Sequence, residues 1–393
     1  MNSVLDAINH RAQFFAADAP VSNRLGRLTD EAASALRAVG IMRMLQPARF
    51  GGFESHPVDF LRAVHRLASI SPSAGWVSGV VGLHPWEVGQ FGDETQSEVW
   101  GADPDTWIAS PYAPMGRATS TPGGYTFSGQ WSFSSGTDHC TWAILGGLDV
   151  SKRESPLHFL IPRRDYEILD GTWDVAGLEG TGSKDVRVSN AFVPTEHVLA
   201  FRDVSHGNAS ERWIDVAPLY RMPYVVLFPG AITAATLGIT QGALEQYLME
   251  TGTRPKSDAQ LISMAESAET IESAARILFD DVERTFDTVS AGKSVPIGER
   301  IRIRRNQVSG VRKAVAAVNE LHRISGSVGL RNHQVFSRFW RDANVGANHA
   351  TNSAEPILRG YGLHRTGQEV PEVLRMGTAP EHDAIPALAT NRS

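Results

Sequence analysis

The chain holds one cysteine, Cys140, among 393 residues. A lone thiol excludes an intrachain disulfide and a cysteine-built zinc site, and it fits a reducing, cytoplasmic setting. Charge of one sign is also missing: 37 Lys+Arg face 43 Asp+Glu, a net charge of −6, with no block of like charges. A nucleic-acid partner, which selects a basic surface, is therefore not expected. No run approaches the roughly 18 consecutive apolar residues of a membrane helix, and "MNSVLDAINHRAQFF" has no basic stretch followed by an apolar one, so neither a membrane span nor a secretory signal is expected. The G-x-S-x-G elbow, the P-loop and H-E-x-x-H are absent. "GLEGTGSKD" contains a G-x-G, but among β-type segments, without the strand–turn–helix setting of a dinucleotide site. His84, His139 and His349 lie far apart in sequence, so no metal site is expected.

What is present is ordinary globular composition, 42% hydrophobic and 20% charged, and a length that predicts about two to three domains. Residues 1–105 read as a helical domain. "DEAASALRAVGIMRML" carries apolar residues at helical spacing, with Gly40 ending or bending the helix. "PVDFLRAVHRLASI" places Phe60, Ala63, Val64 and Leu67 on one face. "SPSAGWVSGVVGLHPWEVGQF" opens at an N-cap, Ser71 or Ser73, with Pro72 in the first turn. Residues 106–215 read as a β domain, a barrel or sandwich of short segments such as "GGYTFSGQWSFSSG", "TWAILGG", "LHFLIPRRDYEIL" and "KDVRVSNAFVP". Residues 216–393 turn helical again. Ile271, Ala275, Leu278, Val282 and Phe286 form one stripe; Val308, Val311, Val315, Val318 and Leu321 form another, as in a helix bundle. The last residues, "TAPEHDAIPALATNRS", read as a loose tail or arm. The fold class is α+β, multidomain, without βαβ alternation.

One stretch breaks its own pattern. In "WSFSSGTDHC", residues 131–140, a strand gives way to Ser134-Ser135-Gly136 and resumes at "TWAILGG". Spacing alone reads this as a turn. Together with "SPSAGW", "SPYAPMG", "GLEGTGSKDVRV", "FVP" and "FWRDANVGANHA", however, the stretch resembles the acyl-CoA dehydrogenase-like, group D flavin monooxygenases. These are the oxygenase components of two-component hydroxylases of the secosteroid ring-A and p-hydroxyphenylacetate types. The resemblance covers nearly the whole chain and implies a four-helix bundle at the C-terminus. It also implies reduced FMN (FAD as the alternative) from a separate NAD(P)H-dependent flavin reductase, and O2 activated as a C4a-hydroperoxide. The reaction implied is hydroxylation of an aromatic substrate ortho to a phenol hydroxyl, in a homotetramer.

It further implies roles for individual residues. Ser134 and Ser135 would lie beside the flavin, Ser134 with its hydroxyl near N5, and Phe133 would line it. His349, in "GANHATN", would be the catalytic base for the phenol or would hold the terminal peroxide oxygen, and Ala350 would meet the flavin through its backbone. His84 would hydrogen-bond the substrate oxygen. Ser110, Pro111 and Tyr112 would cover the flavin, with Ser110 also orienting the phenol; Pro111 stiffens that segment and removes an N–H donor. Trp76 would line the flavin pocket. Arg254 offers a fork of donors to the flavin phosphate or ring edge. Ser327 and Val328 lie in a loop through which a neighbouring subunit would reach the cofactor. Thr181 and Ser183 would meet the flavin edge or the substrate. Asp138, His139 and Cys140 read as structural. The alternatives are oxygenation at nitrogen, sulfur or an indole on the same fold, and an FAD acyl-CoA dehydrogenase, which would need a glutamate where this chain carries "NHATN".

Overall fold

The computed structural model describes residues 4–151, 156–206 and 217–371. Seven α-helices come first: α1 Val4–His10, α2 Ala12–Leu25, α3 Asp30–Val39, α4 Pro57–Ile70, α5 Pro72–Val81, α6 His84–Val88 and α7 Asp93–Trp100. α3 starts where the Thr29 hydroxyl accepts the Ala32 N–H and stops at Gly40, whose φ of 80° is a left-handed cap that favours glycine. Ser71 is the residue before α5 and Pro72 its first residue, but no side-chain bond closes the cap. Proline there needs no N–H partner.

Eight strands follow: β1 Ile108–Ala109, β2 Gly116–Thr121, β3 Gly124–Ser134, β4 Trp142–Asp149, β5 Leu157–Pro162, β6 Glu167–Leu169, β7 Lys184–Pro194 and β8 Val198–Ala200. They form one mixed sheet in the order β6-β7-β3-β2-β4-β5-β8, with β1 parallel to β4. The chain then becomes helical: α8 Phe201–His206, α9 Tyr224–Thr251, α10 Asp258–Ser290, α11 Ile297–Ile324, α12 Val335–Ala347 and α13 Ala354–Arg365.

α9 is the centre of the molecule, packed by α4, α5, α10, α11 and α12. It is long and apolar enough to cross a membrane by length and composition, yet it is almost wholly buried inside the protein. Glycines set its closest approaches. A Cβ on Gly238 would lie 2.2 Å from the His65 carbonyl oxygen of α4, and one on Gly242 would lie 2.5 Å from that of Ser69. The stripes read on α10 and α11 face this core; Ile271, Leu278, Val282, Val308, Val311, Val318 and Leu321 are all buried. The sheet, the N-terminal helices and the bundle share one continuous core, and most of the residues described next lie where these three parts meet.

Candidate functional site

The break in "WSFSSGTDHC" is a bulge. The β3–β7 register slips between Trp131 and Ser134, and Phe133 is forced to φ 71°, a region that a bulky side chain avoids. That twist throws Phe133 out, 70% exposed with its ring edge on Trp173, and turns Ser134 inward to complete burial. Strain of about 1–3 kcal/mol at one residue marks a place where geometry is imposed by the surroundings. Gly136, at φ 69°, carries the chain on into a short turn at Thr137–His139.

The two serines differ. The Ser135 hydroxyl accepts from the Trp76 indole N–H at 3.3 Å and lies 2.7 Å from the Ser183 hydroxyl. Ser183 in turn lies 2.8 Å from the Thr181 hydroxyl, which donates to the Leu178 carbonyl at 2.7 Å. An indole only donates and a carbonyl only accepts, so every proton in the chain is placed: Trp76 to Ser135, Ser135 to Ser183, Ser183 to Thr181, Thr181 to Leu178. The Ser135 proton is therefore committed away from any ligand. Thr181 and Ser183 likewise commit their hydroxyl protons to this chain. The Ser134 hydroxyl, by contrast, is buried with no partner.

Across from this wall, His349 caps the turn Ala350–Asn352 that follows α12. Its Nδ1 accepts the Thr351 N–H at 3.2 Å and lies 3.0 Å from the Thr351 hydroxyl, and its ring packs edge-on to Trp76 at 5.7 Å and near Phe228 at 6.2 Å. Burial, then the Arg304 charge, lower its pKa to about 4, so the ring is neutral at pH 7. With Nδ1 accepting, the single proton sits on Nε2, and His349 is a donor. Arg304 fixes the turn by donating to the Thr351 carbonyl at 2.5 Å and to Gln307; burial lowers its own pKa to about 10.

His84 has the opposite arrangement. It is fully buried on α6, and its Nδ1–H donates to the Ile108 carbonyl at 2.5 Å. Burial lowers its pKa to about 4. The neutral ring thus carries a lone pair on Nε2, buried without a partner. The two histidines are joined through aromatic contacts: His84 to Tyr112 (5.5 Å), Tyr112 to Phe228 (5.0 Å), and Phe228 to His349. Pro111, Tyr112 and Ser110 line the same wall, Ser110 and Pro111 buried and Tyr112 half-buried.

Sequence reasoning missed a buried polar pair beside Tyr112. Glu87 and His158 form a buried pair at 2.6 Å, His158 stacking on Tyr112 at 4.7 Å, with Tyr224 close by. Burial and nearby Glu87 push the Tyr112 phenol pKa far up, although no hydrogen bond joins the two. A carboxylate inside the apolar run "GLHPWEVGQF", three residues after His84, was the available signal.

The other residues singled out in the sequence are exposed or make structural contacts. Arg254 is exposed beyond the end of α9; Ser327, in the turn after α11, and Ala350 are exposed. The side chain of Val328 lies outside the described residues. Asp138 pairs with Lys184 at 2.7 Å, His139 bonds the Leu28 carbonyl at 3.0 Å, and the buried Cys140 thiol donates to the Gly136 carbonyl; all three serve structure. No group of three or more His, Cys, Asp or Glu among the described residues is placed to hold a metal.

The fit to a flavin and a phenol rests on the orphaned atoms. A buried hydroxyl and a buried imidazole nitrogen without partners each cost about 1–3 kcal/mol, and a polar ring and a phenol are ligands that would satisfy them.

Residues 231–354 match the family model for the acyl-CoA dehydrogenase C-terminal domain. The chain is 42% identical over 386 residues to a pigment production hydroxylase of Rhodococcus erythropolis, covering 95% of this chain and 98% of that protein. It is 38% identical over 381 residues to the flavin-dependent monooxygenase oxygenase subunit HsaA of Rhodococcus jostii, covering 94% and 97%. The crystal structure of a 3-HSA hydroxylase from Rhodococcus sp. RHA1 superposes with a TM-score of 0.92 at 36% identity, over 95% of this chain and 99% of that one. The chain belongs to the flavin-dependent monooxygenases built on the acyl-CoA dehydrogenase fold, as an oxygenase component.

Proposed function

We propose that this oxygenase hydroxylates a phenolic aromatic ring, ortho to the hydroxyl, in a pocket bounded by His84, Tyr112, Phe228, Trp76 and His349. Bound reduced flavin, taken as FMN and delivered by a separate NAD(P)H-dependent reductase in the cytoplasm, supplies the activation of O2. The protein's own groups do the rest. His84, with Nε2 as acceptor, takes the hydrogen bond of the phenol O–H and receives its proton as electron density moves into the ring. His349, with Nε2–H, donates toward the oxygen being transferred, and Ser134 offers the free hydroxyl of the wall. Of the two expected roles for His349 this is the donor role; the base role passes to His84. Trp76, Phe133, Ser135, Ala350 and the Ser110–Tyr112 segment border the flavin, Arg254 meets its phosphate, and the Ser327–Val328 turn reaches the site of a neighbouring subunit in a homotetramer.

The observation that carries this reading is the opposed proton placement on His84 and His349. The test mixes protein and reduced FMN with oxygen and a phenol, and measures hydroxylated product against hydrogen peroxide, with FAD as the control flavin. Product formed at close to one per O2 supports the reading. Peroxide alone, at the rate of free flavin and unaffected by any phenol, removes it.

A further inference from the structure

One buried carboxylate in the bundle has no part in the chemistry above. Asp342 lies on α12, 1% exposed, and its Oδ1 accepts the Leu178 N–H at 2.6 Å. Its other oxygen has no partner. Leu178 stands at φ 56°, a left-handed conformation that a leucine adopts only under constraint. Its carbonyl is the terminal acceptor of the hydroxyl chain that begins at Trp76. The same loop sends the Thr181 carbonyl back to the Gly136 N–H at 2.8 Å, one residue past Ser135. It is also pinned from the N-terminal helices, where Asn23 Oδ1 accepts from the Gly180 N–H and the Ser73 hydroxyl, each at 3.2 Å. The fit is close: a Cβ on Gly177 would lie 2.9 Å from the Arg341 carbonyl carbon and 3.0 Å from Asp342 Oδ1.

We propose that Asp342 is a positioning residue for the flavin wall. It latches the 177–183 loop to the bundle, and through the Thr181–Ser183–Ser135 hydroxyls it sets where Ser135, Gly136 and Trp76 stand. The flavin part rests on the function proposed above; the latch does not. Leucine or alanine would fill this space without the penalty of burying a carboxyl, so the residue type points to the bond it makes. Consistent with that penalty, burial raises the Asp342 pKa to about 7, moderated by the Leu178 N–H and then by Arg338. Arg341 on the same helix also lowers it, and Glu179 on the loop raises it.

The test compares Asp342→Ala, Asp342→Asn and Thr181→Val with wild type. Amide hydrogen exchange at Leu178 and Gly136 is measured without flavin; reduced FMN affinity and product per O2 are measured with it. Asp342→Ala is expected to speed exchange at both amides at least about tenfold and to weaken flavin binding several-fold, with more peroxide. Asp342→Asn, whose amide oxygen still accepts from Leu178, is expected to retain most of each property. The Asp342→Ala/Thr181→Val pair is expected to be no worse than Asp342→Ala alone, as links of one chain are not additive. Wild-type exchange at Gly136 in a folded Asp342→Ala protein overturns the latch, as does equal damage from Asn and Ala. If Asp342→Ala does not fold, Thr181→Val decides: unchanged Gly136 exchange overturns the chain, and faster exchange with weaker flavin binding upholds it. Failure of wild type to bind reduced FMN would remove the proposed function, while the exchange data would still judge the latch.

Discussion

Two histidines with the same depressed pKa do different work because their Nδ1 atoms face different partners. His84 meets a carbonyl and must donate there; His349 meets the Thr351 backbone N–H and hydroxyl, and accepts from the N–H. Chemistry at the free nitrogen follows from that, and the tautomers are inferred from these bonds. His84→Gln is expected to lower kcat for the phenol by about 100-fold, the usual scale of one acid–base group. His349→Gln is expected to leave phenol binding near wild type and to divert oxygen to peroxide. Steady-state kinetics with a peroxide assay separate the two. Both rings have pKa values of about 4, so neither titrates between pH 5 and 8. A kcat that follows a protein group near 6.5 in Asp342→Asn as well as in wild type, where Asp342 itself titrates near 7, would contradict their assignment. None of this was legible in the sequence, where "GLHPW" and "GANHATN" each show a histidine but not the neighbour that fixes its proton.

At the scale of elements, β3 and α9 do most of the positioning. The bulge in β3 could be seen as a break in alternation, but its consequence could not. Only the cross-strand register shows that Ser134 turns inward while Phe133 is expelled. Helix ends were easier, since Gly40 and Pro72 act locally. The Ser71 cap was readable as a place and not as a bond. Glu87, His158 and Asp342 were missed because each owes its burial to a partner element far away in sequence. α9 carries Tyr224 and Phe228 against Tyr112 and is seated on α4 through glycine. Gly238→Ala is expected to destabilise the protein by about 1–3 kcal/mol through overpacking. It should also weaken phenol binding as the pocket wall shifts, seen as a lower Tm together with a higher KM. A lower Tm with unchanged KM would show that the seat of α9 does not set the pocket.

The whole molecule holds neutral histidines in its interior, and acid should reveal this. His65, His84 and His349 are held near pKa 4 by burial, while in the unfolded chain they titrate near 6.5. Their contribution to stability is complete above 6.5 and is lost as pH falls toward 4. Asp342 acts in the opposite sense: its raised pKa favours the folded state below 3.8, and that contribution is lost as pH rises through about 7. Near pH 5, for these four groups, the unfolded state binds three protons that the folded state lacks, and the folded state holds one that the unfolded lacks. The difference of two makes stability rise with pH by about 2.7 kcal/mol per unit. His65→Gln, remote from the catalytic roles and packed on Phe279, is expected to reduce that slope by about 1.4 kcal/mol per unit. Chemical denaturation from pH 4.5 to 6.5 measures it; an unchanged slope would mean that His65 is charged in the folded protein.

The central claim is that His84 receives the phenol proton while His349 donates. The most direct measurement is a single turnover of wild type, His84→Gln and His349→Gln, each loaded with reduced FMN and a phenol and then mixed with oxygen. The same turnover is run with a phenol of lower pKa, which needs a base less. The account predicts that the acidic phenol restores much of the product in His84→Gln and none in His349→Gln. Restoration in His349→Gln instead would make His349 the base and contradict the account.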